Sequence, residues 1–511
     1  MIESIAPALG LVLDPTVLVV IAAAALYGMM FGSIPGLSAT MAVALVVPMT
    51  YFLSPMAALA AIVTLEACAI SAGDIPSALV RIPGTPASAA YAEDLYQLAR
   101  RGQYERALGT CIVFSVIGGL FGVAVLALFA RPFASVATWF TVAEYFWLYV
   151  LGLGCAVVVS RGSAWKGAFA LFLGLLLSTV GLSAVHTEAR FTFGRPELYQ
   201  GISFIPALVG LFGMSEVLRN LRTLGRAEPV PLAVAVAVPA RRSSWDAVRA
   251  VFGGTFDLFL RRPWQTLQAS TIGTIVGILP GAGADIAAWV SYGVSKRTAA
   301  NPEEYGRGSL EAVADSGAAN NSALAGAWVP ALTLGIPGDS ITAIVLGVMM
   351  MKNLQPGPEI FAKQAVLVHG LFIVFVLANL VLLPAGYLAI RASGLLLRVP
   401  RRTLLPIIVL FCVLGSYAIG GSYFDVGVML AMGLLGFLLE RRQVPVGPVV
   451  LGIILGGPLE ERFIQAMTAS GGSPSVFFAR PSAAVLGVVA IGVWLLPALG
   501  AWRARRRAVP S

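Results

Sequence analysis

Eight stretches of this chain carry no Asp, Glu, Lys or Arg, and their lengths restrict the fold more than any other feature. They lie between Asp14 and Glu66, Arg106 and Arg131, Lys166 and Glu188, Arg262 and Asp285, Asp315 and Asp339, Lys363 and Arg391, Arg402 and Asp425, and Arg480 and Arg503. Each exceeds the ~20 residues that a helix needs to cross a ~30 Å hydrocarbon core. The runs are rich in Leu, Val, Ala and Phe and lack the alternation of a barrel strand, so helices are expected. Composition agrees: 58% of the 511 residues are hydrophobic and 12% charged, where soluble chains average about a quarter charged. Four cysteines in such a length exclude a disulfide scaffold. The expected fold is an all-α polytopic membrane protein with roughly 12 membrane segments, some of them interrupted by Gly and Pro.

The nine excess positive charges then read as topology rather than as affinity for nucleic acid. Between Arg219 and Arg262 lie eight arginines against Glu228, Asp246 and Asp257, around the Pro/Val/Ala stretch Pro229 to Pro239. This linker and the tail Arg503, Arg505, Arg506 and Arg507 are expected on the cytoplasmic side. The N-terminus, with only Glu3 and no basic residue ahead of its first span, is expected in the periplasm, and that span reads as retained rather than as a cleaved signal. Trp139, Trp147, Trp165 and Trp245 read as interface anchors, and Glu144 and Glu216 as interfacial. Cys68, Cys111, Cys155 and Cys412 stand singly and read as buried thiols. His186 and His369 are far apart and make no ligand set, and no nucleotide-binding loop, zinc-hydrolase motif or nucleophile elbow occurs. An enzyme is disfavoured, and no cofactor is expected.

Function enters through a duplication. Gly28-x-x-x-Gly32-x-x-Pro35-Gly36 recurs as Gly273-x-x-x-Gly277-x-x-Pro280-Gly281, and Pro76 followed by Ile82-Pro83-Gly84 recurs as Pro330 followed by Ile336-Pro337-Gly338. Two patterns in one order predict two repeats, residues 1–218 and 264–511, joined by a basic linker over 219–263. An odd number of spans in each would invert one repeat relative to the other. Helices broken by Gly and Pro at matching positions point to the binding site of a secondary transporter. Proline removes a backbone donor, and the unpaired N–H and C=O groups are tolerated at membrane depth only inside protein or along a cavity. The N–H ends attract a carboxylate and the carbonyls a cation. Gly28, Gly32, Gly273 and Gly277 are expected to serve close helix packing instead. Small polar residues flank all four repeated Pro-Gly pairs: Ser38 and Thr40, Thr85 and Ser88, Gly283 and Asp285, and Asp339, Ser340 and Thr342. Pro356-Gly357 reads as a loop turn.

At these residues the chain resembles the large membrane subunit (TctA-type) of tripartite tricarboxylate transporters. The resemblance rests on Gly32-Ser33-Ile34-Pro35-Gly36-Leu37-Ser38, Ile82-Pro83-Gly84-Thr85-Pro86-Ala87-Ser88-Ala89-Ala90, Leu279-Pro280-Gly281-Ala282-Gly283-Ala284, Ala318-Ala319-Asn320-Asn321-Ser322, Thr333-Leu334-Gly335-Ile336-Pro337-Gly338-Asp339 and Leu354-Gln355-Pro356-Gly357-Pro358. It implies a permease of the bacterial inner membrane that works with a small four-helix membrane subunit and a periplasmic solute-binding protein. It further implies uptake of carboxylates driven by a cation gradient. Arg81 stands where the family pattern has Asn before the first Ile-Pro-Gly, which argues against citrate itself and leaves a carboxylate-type organic anion.

The expected substrate-binding residues are Pro35, Gly36, Ser38, Arg81, Pro83, Gly84, Thr85, Pro280, Gly281, Gly283, Asn320, Asn321, Pro337, Gly338 and Ser340. The cation, Na⁺ or alternatively H⁺, is expected on Asp339, Asp285, Asn320 and Thr342. An ionisable residue within the membrane costs at least ~2.5 kcal/mol on the insertion scale and so needs a reason. Arg81 either pairs with a substrate carboxylate or with an internal partner such as Asp74. Asp339 either binds a cation or caps a half-helix. If coupling is to H⁺, Glu66, Asp285 or Asp339 is expected to titrate, Glu66 being the first to test. The charged stretch from Tyr91 to Arg106 reads as a solvated connection.

Overall fold

The computed structural model describes residues 4–159, 163–183, 188–223, 244–281, 283–396 and 401–507. His186, Ala282, the linker stretch Pro229 to Pro239 and the side chains of the basic tail lie outside that description. The described chain is helical apart from one short antiparallel pairing of Gly181–Leu182 with Ala189–Arg190. Seven of its helices are long and apolar enough to cross a membrane, and five shorter apolar helices accompany them. Start signals are conventional: Asp14 accepts from the Thr16 amide and Ser54 from the Ala57 amide, each just ahead of a proline in the first turn.

Two helix pairs form the centre. In the first half Pro15–Ser33 packs along Pro55–Ala72, and in the second Pro263–Ile278 packs along Leu310–Leu334. Glycine permits both contacts. A Cβ on Gly28 would lie 2.7 Å from the Leu65 carbonyl oxygen, and one on Gly32 2.2 Å from that of Ala69. A Cβ on Gly273 would lie 2.2 Å from the Ala319 oxygen, and one on Gly277 2.3 Å from that of Ala323. Lipid is as apolar as leucine, so close backbone approach of this kind supplies the packing energy between membrane helices. The long Tyr104–Ala137 helix joins the halves, with Gly118 against Ala318 and Gly122 against Ser322.

Both halves then break in the same way. Asp74–Val80 ends at Arg81, whose φ is +57°, and the Ile82 amide donates to the Pro76 carbonyl at 3.4 Å. Leu310–Leu334 ends at Gly335, whose φ is +70°, and the Ile336 amide donates to the Pro330 carbonyl at 3.2 Å. Each is a left-handed C-cap that satisfies the last carbonyls and turns the chain out of its helix. Beyond the caps, backbone meets backbone: Gly84 donates to the Gly73 carbonyl at 3.0 Å, and Gly281 donates to the Gly338 carbonyl at 2.7 Å.

The charged stretch after the first break is not a solvated connection. Ala92–Arg100 is an amphipathic helix whose Asp94 is fully buried. Asp94 accepts backbone N–H groups from Gly306, Gly308 and Ser309 at 2.8, 2.9 and 2.9 Å, and the Tyr292 hydroxyl at 3.0 Å. Glu144 and Glu216 are buried within the protein too. Glu144 pairs with Arg480 at 3.2 Å and accepts the Ser482 hydroxyl, while Glu216 holds Arg219 at 2.5 Å and Asn220 at 2.8 Å. Trp139, Trp165 and Trp245 are exposed, but Trp147 is buried among Phe146, Phe477 and Phe478 and donates to the Phe477 carbonyl.

Candidate functional site

A cavity of about 270 Å³ lies where the broken helices meet. That is just below the ~300–1,000 Å³ of pockets for drug-sized ligands and suits a smaller molecule. Four helices begin at its wall: Ala39–Thr50, Gly283–Thr298, Ser340–Met351 and Gly447–Ala469. Every helix leaves its first N–H groups without intrahelical partners and carries roughly half a positive charge there. Convergence of several such ends in one cavity favours an anion.

Local chemistry sets each start. Ser38 lies ahead of Ala39–Thr50, and its hydroxyl accepts the Met41 amide at 3.1 Å. Thr85 and Ser88 close a tight turn on each other, Thr85 N–H to Ser88 Oγ at 3.0 Å and Ser88 N–H to Thr85 Oγ1 at 3.1 Å. Asp339 caps Ser340–Met351 with a complete capping box: its carboxylate accepts the Thr342 amide at 2.8 Å, and Thr342 Oγ1 accepts the Asp339 amide at 2.8 Å. Gly283, at φ +55°, lets this cap lie alongside it, since a Cβ there would meet the Asp339 Cβ at 2.8 Å. Asp285 and Asp339 both line the cavity, so donors for an anion stand beside two carboxyl groups suited to a cation.

Of the residues expected from sequence, the fold brings Ser38, Gly84, Thr85, Gly281, Gly283, Asp285, Asp339 and Ser340 to this one wall, with Thr342 behind Asp339. Pro35, Gly36, Pro83, Pro280, Pro337 and Gly338 form the turns that shape the wall without lining it; Gly36 accepts Asn220 Nδ2 at 3.3 Å. Asn321 is buried between helices, donating to the Ser115 carbonyl at 3.0 Å and to Asn379 Oδ1 at 3.2 Å. Asn320 is buried next to it, and its Oδ1 has no partner. Arg81 points away, its side chain 61% exposed, bonded to Glu93 at 2.8 Å and lying over the Tyr96 ring. Its partner is therefore Glu93 and not Asp74. Glu66 is fully buried, with Trp328 Nε1 3.5 Å from its Oε2.

Sequence reasoning missed the part of the lining made by Pro445, Gly447, Pro448 and Leu451, and also Ile70 and Ala156. Pro445-Val446-Gly447-Pro448 is a further Gly/Pro break, and it was readable as one, but it has no counterpart in the first half to single it out. A second, larger cavity of about 560 Å³ is lined in part by Ser340–Met351 and Gly447–Ala469. Gly347, Ile453 and Ile454 line it, and the Phe204 ring rests on Gly347, where a Cβ would be 1.8 Å from Phe204 Cε1.

Comparison with known proteins places the chain among relatives. The chain is 35% identical over 477 residues to an uncharacterized 52.8 kDa protein in the TAR-I ttuC' 3'region of Agrobacterium vitis, covering 93% of this chain and 92% of the relative. It is 36% identical over 230 residues to an uncharacterized protein in the TAR-II ttuC' 3'region of the same organism, covering 44% of this chain and 95% of that relative. No solved structure matches it. Residues 18–451 match the model of the tripartite tricarboxylate transporter TctA family. With most of its length matched and a full-length relative at this identity, the chain belongs to that family and is a membrane subunit of a transporter with several components.

Proposed function

We propose that the chain is the permease subunit of a binding-protein-dependent secondary transporter that imports a tricarboxylate or other carboxylate together with a cation, Na⁺ in the first reading. The observation that carries this is the cavity at four helix N-termini with Asp285 and Asp339 in its wall. The anion's carboxylates take the N–H ends and the hydroxyls of Ser38 and Ser340. Na⁺ takes Asp339, Asp285 and neighbouring oxygens, with Thr342 and Asn320 as further candidates. Neutralising the two carboxyl groups removes their repulsion of the anion, so each ligand favours the other.

The partners in this reading are a small four-helix membrane subunit and a periplasmic solute-binding protein, in the inner membrane of a bacterium. The N-terminus lies in the periplasm and the C-terminus in the cytoplasm. About 12 segments form two inverted repeats, 1–218 and 264–511, on either side of the linker 219–263. The matched caps at Arg81 and Gly335 support a repeat. Inversion is supported by the course of the helices that follow the two Gly-x-x-x-Gly segments. Ala39–Thr50 runs to Tyr51, which meets Lys352, while Gly283–Thr298 runs to Tyr292 and Ser295 beside Asp94 and Asp315.

Thermal unfolding of the purified permease in NaCl against choline chloride, with and without citrate or succinate, tests the reading. A site filled at 100 times its Kd adds ~2.7 kcal/mol to the folded state. A rise that needs both Na⁺ and carboxylate, and that Asp339→Asn loses, is the expected result. No carboxylate response in either salt, and no flux in proteoliposomes, rejects it. A proton-coupled carrier of the same fold is the second reading, favoured by Glu66, whose Oε1 is buried without a partner. Under it Glu66→Gln flattens the pH profile at fixed Na⁺.

A further inference from the structure

We propose that Asp74 is a proton-binding site of the transport cycle, separate from the cation ligands of the cavity and loaded when the cavity takes its anion. This rests on the carrier reading above and adds to it a site and a ligand.

Asp74 opens the short Asp74–Val80 helix directly after Gly73 and is 2% exposed. Its Oδ2 accepts the Cys111 thiol at 2.8 Å, and that sulfur lies 3.8 Å from the Tyr91 hydroxyl. Its Oδ1 is buried and has no partner among the described residues. The groups that face Asp74 are therefore a thiol and a phenol, and neither carries a positive charge.

Of the charged groups on the surrounding elements, Arg100, Arg106 and Arg131 are exposed, and the others are engaged elsewhere. On Ala92–Arg100, Glu93 holds Arg81, and Asp94 holds the loop before Ser309. Arg101 donates to the Arg307 carbonyl. On Tyr104–Ala137, Glu105 faces Arg391 at 3.6 Å. Pro15–Ser33 contains no charged residue, and the ionisable side chains of Pro55–Ala72 are Glu66, two turns earlier, and the Cys68 thiol. From the second half Gly317 faces Cys111, and a Cβ there would be 3.1 Å from its Sγ. An ionised Asp74 is thus a buried charge without a counter-ion, which is strongly disfavoured. A sodium ion needs a shell of oxygen ligands, whereas Asp74 offers one free oxygen beside two hydrogen donors. The ligand that completes this site is a proton.

The site is tied to the cavity through backbone. The carbonyl of Gly73 accepts the Gly84 amide at 3.0 Å, and a Cβ on Gly73 would lie 2.7 Å from Thr85 Cγ2. Gly84 and Thr85 are cavity wall. A negative Asp74 stands directly behind the place where the anion binds and repels it, so proton and anion loading reinforce each other.

Infrared difference spectra of the reconstituted permease across a pH titration, at fixed Na⁺, test the site without any substrate. Citrate affinity measured over the same pH range tests its coupling. The expected result is a protonated-carboxyl band that titrates in the wild type and is absent from Asp74→Asn. Citrate affinity then falls about tenfold per pH unit above that titration in the wild type and stays flat in the variant. An unchanged band in Asp74→Asn, or parallel pH slopes, overturns the proposal. Should Asp74→Asn not fold, Cys111→Ala decides: losing the thiol donor moves the titration of the band to higher pH, and an unmoved titration overturns the assignment. Absence of both citrate and succinate binding in every protein counts against the cavity reading, and the band alone then judges Asp74.

Discussion

The first and second breaks share a backbone turn and differ in what holds it. After Val80 the left-handed cap is Arg81, and its surroundings are fixed by side chains distant in sequence. Arg81 bonds Glu93, Glu93 accepts Gln97, and Asp94 reaches across to Gly306, Gly308 and Ser309 of the second half. After Leu334 the cap is Gly335, which tolerates positive φ without strain, and the next helix starts with a capping box of two residues, Asp339 and Thr342. The first break is fastened to the opposite half through side chains, whereas the second is held by its own cap and by backbone bonds, Gly281 to the Gly338 carbonyl and Gly357 to the Leu332 carbonyl.

The largest expected effect comes from cutting that fastening. Asp94→Ala strands the buried Ser309 amide, the partly buried amides of Gly306 and Gly308, and the Tyr292 hydroxyl. Each unsatisfied buried donor costs about 1–3 kcal/mol, and loop relaxation recovers part of it, so a loss of ~3–5 kcal/mol is expected. Thermal unfolding in detergent measures it. Thr342→Val at the second break removes the hydroxyl that accepts the Asp339 amide and donates back to Asp339, about 1–2 kcal/mol, and the ratio of the two losses quantifies the contrast. Equal losses would show that the second break depends on contacts beyond its own cap.

A smaller effect is expected where the breaks are alike. A Cβ on Gly84 would lie 2.6 Å from the Gly73 Cα and 3.0 Å from the Gly32 oxygen. One on Gly338 would lie 2.7 Å from the Ala327 Cα and 3.0 Å from the Gly277 oxygen. In both, the obstacle is backbone, so Gly84→Ala and Gly338→Ala should each cost about 1–3 kcal/mol through overpacking. Both should weaken carboxylate binding, because the displaced strands carry the cavity wall. A variant that unfolds less readily than wild type at only one of the two positions would end the equivalence of the breaks.

These contrasts also explain what the sequence made legible. Charge-free runs identified the membrane class because hydrocarbon excludes charge over a length that helix geometry fixes. The small-residue spacings predicted close packing at Gly28, Gly32, Gly273 and Gly277, and backbone contacts occur there. Pro-Gly pairs located the cavity because broken helices need buried partners, yet the prolines themselves turned out to shape the wall from behind. Asp94 stayed hidden because a carboxylate within a charge-rich amphipathic helix reads as solvated. Its partners are backbone N–H groups some 200 residues away, which have no compositional signal. The burial of Glu144 and Glu216 stayed hidden for the same reason, since it depends on Arg480, Ser482, Arg219 and Asn220 being brought to them. Arg81 offered a guanidinium beside a predicted anion site, but the left-handed turn directs it outward.

The smallest effect isolates the caps themselves. At Gly335 a Cβ would find Pro356 Cγ at 3.6 Å, an ordinary contact, so Gly335→Ala should cost only the left-handed conformation, about 1 kcal/mol. Arg81 already bears that cost in the native protein, at φ +57°. Arg81→Gly relieves it, but it gives up a largely exposed ion pair worth ~0–1 kcal/mol and adds freedom to the unfolded chain worth ~0.5–1 kcal/mol. The net change should therefore lie within about 1 kcal/mol of zero. Both variants are read by the shift of the unfolding midpoint at low and high salt. Salt screens the Arg81–Glu93 pair and leaves backbone strain untouched. If Arg81→Gly destabilises as much as Gly335→Ala at low salt and the loss vanishes at high salt, the ion pair is what keeps an arginine in a glycine's conformation. If Arg81→Gly stabilises at both, the arginine is tolerated there against its own backbone preference.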